Sequence, residues 1–121
     1  MKILIVPDSY KGTLSSVEVA ETIKSVLEKA SDCDVKAIPF ADGGEGFCNA
    51  VKSICKGETL YTKCHDIYGK EIDGYIVTFG NTAAIECAVA SGLQKRKNVM
   101  QSSSYGTGEL IRFAVENGYK N

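Results

Sequence analysis

The sequence predicts an α/β protein: a parallel β-α-β-α start, an antiparallel β-meander inserted after it, and a further helix. Three observations predict this. Two short apolar runs, residues 2–6 and 35–40, are each followed by a glycine-containing loop and an amphipathic helical pattern. The middle of the chain is rich in Thr, Tyr, Ile and Val and is broken by two turn signals. A last helical pattern opens at another glycine-rich loop.

Residues 2–6 read as a strand whose continuous apolar run, Ile3 to Val6, is ended by Pro7, which suits a strand buried on both faces. Ser15-Ser16-Val17-Glu18 is a capping box, with Ser15 as N-cap and Glu18 three residues on. A helix is expected from there to about Ala30, with Val19, Ile23, Val26, Leu27 and Ala30 on its apolar face. The second strand is expected at residues 35–40, with Pro39 at its end. The second helix is expected at residues 45–55, with Phe47, Ala50, Val51, Ile54 and Cys55 facing inward and Gly57 placed as a C-cap glycine. Such a β-loop-α-β-loop-α order is the start of a flavodoxin- or Rossmann-like sheet.

Residues 59–66, 71–79 and 82–87 read as three meander strands. The first two are separated by Ile67-Tyr68-Gly69-Lys70 and the last two by the hairpin signal Gly80-Asn81. A short helix is expected over 88–93, then a polar connection through Ser104 whose Lys95-Arg96-Lys97 run reads as a solvated face. The last helix is expected from Gly106, with Leu110, Ile111, Ala114 and Val115 inward and Gly118 just past its end. Three segments follow: 1–57 as part of a parallel α/β domain, 58–104 as a meander-containing module, and 105–121 as a helix leading toward a further strand. The chain therefore reads as the N-terminal portion of something longer.

The net charge of −1, from 14 basic and 15 acidic residues, gives no electrostatic case for a nucleic-acid or membrane partner. No apolar run is long enough for a signal segment or a membrane span, so a cytoplasmic protein is expected. Five cysteines without a C-x-x-C pair suit reduced thiols, most of them in the core. Cys48 and Cys55 lie seven residues apart and are expected on one helix face. Cys64 and His65 would point to opposite faces of a strand, so no zinc site is expected there.

Three loops carry the chemistry. They are Pro7-Asp8-Ser9-Tyr10-Lys11-Gly12, Ala41-Asp42-Gly43-Gly44-Glu45-Gly46 and Ser104-Tyr105-Gly106-Thr107-Gly108-Glu109. Loops that follow parallel strands gather at one sheet edge, where ligands bind. Glycine lets backbone N–H groups approach a ligand, and helix N-termini favour anions. Each loop also has a plainer reading. Asp8 and Lys11 could be a turn Asp and a solvated Lys. Asp42 and Glu45 could hold a divalent cation such as Mg²⁺, or serve as an N-cap and a helix-start acid. Thr107 could cap the last helix, and Tyr10 and Tyr105 could line a substrate or pack a turn. Gly106 and Gly108 match only the first two glycines of a dinucleotide fingerprint. The coincidence of three such loops points to phosphate chemistry on a small substrate.

Taken together, these segments resemble the class I glycerate kinases. The resemblance rests on Met1 to Gly12, Ala41 to Gly46, Ser104 to Ile111 and the segment Ala84-Ile-Glu-Cys-Ala-Val-Ala-Ser-Gly-Leu93, in order along the whole chain. Asn98-Val99 and Ser102-Ser103 depart from the family pattern outside these motifs. The resemblance implies a two-domain α/β fold, of which this chain would be an incomplete N-terminal part. It also implies ATP-dependent phosphorylation of D-glycerate, with 2-phosphoglycerate favoured and Mg²⁺ as cofactor. Asp8, Lys11 and Asp42 are the catalytic candidates. Ser9, Lys11, Gly43, Gly44, Tyr105, Gly106, Thr107, Gly108 and Glu109 are the substrate- and phosphate-binding candidates, and Glu45 and Asp42 the metal candidates. The competing readings are a non-catalytic anion- or metabolite-binding module built from the same loops, and an incomplete product without stable function.

Overall fold

The capping box forms at the residues the sequence marks. Ser15 Oγ accepts from the Glu18 N–H at 3.2 Å, and Glu18 accepts from the Ser15 N–H at 2.8 Å. Two of the orphan amides of the first turn are thereby satisfied, and helix α1 runs Ser16–Ala30. The computed structural model describes residues 1–92 and 98–121. The Lys95-Arg96-Lys97 run lies outside the described residues.

Strands β1 (Lys2–Ile5) and β2 (Asp34–Ala37) pair in parallel, Ile3 opposite Val35 and Ile5 opposite Ala37. The ladder is carried further by Ile38 N–H to Ile5 O at 2.8 Å and Phe40 N–H to Pro7 O at 3.0 Å. Helix α1 packs on this sheet through Val19 and Ala20, both buried. The expectation that the first strand is buried on both faces does not hold. Leu4 is 62% and Val6 50% exposed, because α1 covers the Ile3–Ile5 face and nothing among the described residues covers the other. The far end of the predicted α1 stripe is also uncovered, with Val26 at 59%.

Helix α2 spans Phe47–Cys55. Its C-cap is Lys56, in the left-handed region at φ 53°, and not Gly57. Gly57 is needed for another reason. A side chain there would press on the Thr78 carbonyl and on Val77, where the chain enters the next sheet. Cys48 is buried, while Ile54 and Cys55 at the far end of the helix are exposed, so the inward placing of these last two residues is corrected.

Strands β3 (Glu58–His65), β4 (Glu71–Phe79) and β5 (Thr82–Ala84) form the predicted antiparallel meander, in the order β3-β4-β5. Asp66 closes the first turn by accepting from the Tyr68 and Lys70 N–H groups, each at 2.9 Å. Gly80 takes φ 55° in the two-residue second turn between Phe79 and Thr82. β4 is the central strand and is covered on both faces. Val77, with Tyr75 and Phe79, meets Cys48, Phe47 and Val51 of α2. Ile76, with Cys64, meets Leu110 and Ala114 of helix α4 (Tyr105–Glu116). Gly74 permits that approach, since a side chain there would meet Cys64 and Leu110. Helix α3 (Cys87–Ser91) lies between β5 and α4 and adds Ala90 to the same core.

The sheet that α4 covers is therefore the meander. Only Leu110 and Ala114 of its predicted inward set are buried, while Ile111 is 50% and Val115 64% exposed. Gly118 at φ 86° turns the chain back, and Asn121 O accepts from the Ala83 N–H beside β5 at 2.9 Å. The five cysteines are free thiols. No helix among the described residues is long and apolar enough to cross a membrane.

Leu110 has no exposed surface. Leu110→Ala is expected to cost about 2–5 kcal/mol by opening a cavity between α4 and β4. Ser15→Ala, which removes only a surface cap, should cost about 1 kcal/mol. Urea unfolding of both variants checks the order. Equal losses would mean that α4 does not anchor the core.

Candidate functional site

Because β1 and β2 are parallel, the loops after them leave at one edge, as expected. The first loop closes as a tight turn, with Tyr10 N–H to Leu14 O at 2.9 Å and Thr13 N–H to Tyr10 O at 2.9 Å, and Gly12 at φ 75°. The second loop bends at Gly43 (φ 94°) and Gly46 (φ 90°), conformations that a side chain would strain. Between these loops and α3 lies a cleft in two continuous parts, of about 630 Å³ and about 330 Å³. Lys11, Glu45 and Glu86 line both parts. Ser9 lines the smaller part and Ser91 the larger.

Among the described residues Lys11 and Glu45 have no hydrogen-bond or ion-pair partner, so an ammonium and a carboxylate face the cleft uncommitted. Asp8 and Asp42 do not line it. Asp8 Oδ1 accepts from the Ser9 N–H at 2.7 Å, and Asp42 Oδ1 accepts from the Gly44 N–H at 2.9 Å. Both carboxylates thus hold their own loop's backbone. Gly43 and Gly44 likewise lie outside the lining.

The carboxylate that organises the site was not singled out from the sequence. Glu86, at the start of α3, is 4% exposed. Its Oε1 accepts from the Gly46 N–H at 3.1 Å and its Oε2 from the Cys48 N–H at 3.0 Å. Helix α2 has no side-chain cap and no acidic residue in its own first turn. Glu86 supplies both functions from 40 residues away in sequence. Its charge is felt nearby. Burial, then the Glu86 carboxylate, pushes the Cys48 thiol up to about 11 and the Tyr75 hydroxyl up to about 12. The only sequence signal was a glutamate within the otherwise apolar segment Ala84 to Ala90.

The third loop reaches the cleft indirectly. Thr107 Oγ1 does not cap α4 but lies 2.6 Å from Ser91 Oγ, tying α4 to the cleft wall. Gly106 is buried, and a Cβ there would overlap the His65 carbonyl oxygen. Tyr105 is 64% exposed and its ring stands 5.9 Å from the His65 ring. Glu109, expected to face outward, instead accepts from the His65 N–H at 2.8 Å and takes His65 Nδ1 at 2.9 and 3.0 Å. His65 thereby ties the end of β3 to the start of α4. Tyr105, Gly108 and Glu109 are not among the cleft-lining residues.

A Mg²⁺ ion binds through one or two carboxylates plus phosphate and water oxygens. Glu45, free and facing the cleft, fits that donor set. Asp42, turned to Gly44, does not share the cleft with it. No three His, Cys, Asp or Glu residues among those described converge to hold a metal on protein groups alone.

The model of the glycerate kinase family matches residues 3–121. The chain belongs to that family. It is 39% identical to glycerate 2-kinase of Escherichia coli and 34% identical to glycerate kinase of Haemophilus influenzae, over the whole of this chain and 34% of each relative. The crystal structure of a protein assigned as glycerate kinase 2 from Salmonella typhimurium superposes with a TM-score of 0.78 at 37% identity. It covers 98% of this chain and 34% of that one. The chain thus spans about a third of the length of the glycerate kinases it matches.

The His65 contacts hold the Glu109 carboxyl below the usual carboxylate range, chiefly through the side-chain hydrogen bond. A group depressed on folding stabilises the fold above its unfolded value, and that gain is lost as pH falls through the folded value. Glu109→Gln should therefore melt lower than the parent at neutral pH, with the gap closing below the carboxylate range. Thermal melts across pH 3–7 check this. A gap that stays constant with pH would show that only shape, and not charge, is lost.

Proposed function

We propose that this chain carries the glycerate-binding part of an ATP-dependent glycerate kinase, with 2-phosphoglycerate the favoured product. One observation supports this most: Lys11 and Glu45, from two different loops, face one cleft without partners in a chain of the glycerate kinase family. Lys11 is matched to the carboxylate of a small acid, as a point charge that several hydrogen-bond geometries satisfy. Ser9 and Ser91 offer hydroxyls on either side of it. Glu45 would hold Mg²⁺, whose chemistry when bound is to neutralise charge on the phosphate oxygens. Asp8 and Asp42 remain the candidates to orient the attacking hydroxyl or accept its proton. Either would have to release its loop amide or use its second oxygen. The Thr107 and Gly108 amides already donate to Ser104 O, at 3.1 and 3.3 Å, so the third loop would serve by mounting the cleft wall, with Glu109 stiffening that mounting through His65.

Phosphoryl transfer asks a protein chiefly for positioning and charge neutralisation. A cleft with one free ammonium, one free carboxylate and hydroxyls between them provides the first for a hydroxy acid. Calorimetric titration of D-glycerate, with and without MgCl₂, tests the reading on this chain. The Lys11→Ala variant should bind roughly 10- to 100-fold more weakly, as expected for loss of a hydrogen bond to a charged group worth about 1.5–3 kcal/mol. Equal affinity in parent and variant would remove Lys11 from recognition. No saturation by the parent at millimolar D-glycerate would remove the cleft as a glycerate site. Phosphorus NMR of a turnover mixture containing ATP distinguishes phosphorylation at the two hydroxyls, and binding without turnover would favour a non-catalytic module.

A further inference from the structure

Helix α2 begins at the cleft, and the N-terminus of a helix is an anion site in waiting. Here that site is already filled. Glu86 places one oxygen on the Gly46 amide and the other on the Cys48 amide, and it is buried while doing so. An incoming phosphate could reach these amides only by displacing a buried carboxylate that has no other partner among the described residues. That exchange strips an ionised group of its hydrogen bonds inside the protein, which is costly. Glu45 precedes Gly46 in the chain and adds a second carboxylate to the lining, against Lys11 as the one cation among the described lining residues.

We infer that Glu86 is a specificity-determining residue: it takes the place of an anion on helix α2, so that free phosphate does not dock on the Gly46 and Cys48 amides and a hydroxy acid is left to Lys11. The inference rests on the glycerate reading above for the identity of the accepted acid. Its physical content is the rejection of phosphate. It assigns the loop Ala41 to Gly46 to shaping the acid site and leaves phosphate recognition to other groups.

The test is a titration of inorganic phosphate into the ¹⁵N-labelled chain, reading the Gly46 and Cys48 amide resonances. The parent should show no saturable shift at either amide. Glu86→Gln keeps the size and one acceptor oxygen but removes the charge, and it should gain saturable phosphate shifts at both amides, with at least about tenfold tighter binding. Glu86→Asp keeps the charge and should not gain them. Saturable shifts in the parent, or no gain in a folded Glu86→Gln, overturn the inference. If Glu86→Gln does not fold, the parent titration decides alone: saturation at Gly46 and Cys48 refutes, and its absence supports. D-glycerate titrated into the same parent sample separates the two readings. Failure to bind D-glycerate sinks the glycerate assignment, whereas only the phosphate response bears on Glu86.

Discussion

The contact between the Glu86 carboxylate and the first amides of helix α2 is the constraint on which the cleft depends. Without it, α2 would start at a glycine in the left-handed region, with no side-chain cap and no acidic residue in its first turn. With it, the loop Ala41 to Gly46 and the helix that follows share one point with the junction of β5 and α3, 40 residues on in sequence. A carboxylate that accepts two charge-assisted hydrogen bonds at a helix N-terminus satisfies both itself and the helix. Removing either side would leave a buried polar group unpaired, which is why this contact couples the parallel sheet to the meander.

The opposite face of the meander is fixed by a different device. Helix α4 can approach the end of β3 only because Gly106 has no side chain, and Gly74 clears the space for Leu110 one strand away. Once α4 is close, Glu109 locks it to His65 by three contacts, and Thr107 binds Ser91 on α3. Ser91 lines the cleft, so the position of α4 is transmitted to the wall of the site through one hydroxyl pair. The third glycine loop thus serves the cleft by mounting its wall.

Much of this fold is legible in the sequence, and the parts that are legible are local. The capping box at Ser15, the Asp66 turn and the Gly80 hairpin are each decided within a few residues, and periodicity locates the strands between them. What periodicity does not give is the cover. It names Leu4, Ile54, Ile111 and Val115 as apolar but cannot say which surface meets them, and in the structure these four are exposed. The site divides the same way. Lys11 and Glu45 sit where parallel strands must end, so their convergence follows from topology. Glu86 acts across 40 residues and His65 across 44, and no local pattern announces a partner at that distance. Asp8 and Asp42 looked alike as turn residues and as catalytic acids because both roles use the same oxygens.

Charge decides what this chain can contribute under the proposed reading. A transferring phosphoryl group carries negative charge on three oxygens, and that charge has to be met by cations or by preorganised donors. The described residues of the cleft lining offer one ammonium, and two carboxylates oppose it. The α2 amides that could have served as donors are committed to Glu86. Among the described lining residues a single lysine balances the carboxylate of a hydroxy acid, with no second cation beside it for a phosphate. The arrangement therefore suits the acceptor end of a phosphoryl transfer. The charge of the donor end must be balanced by a cation held at Glu45 and by groups other than these lining residues.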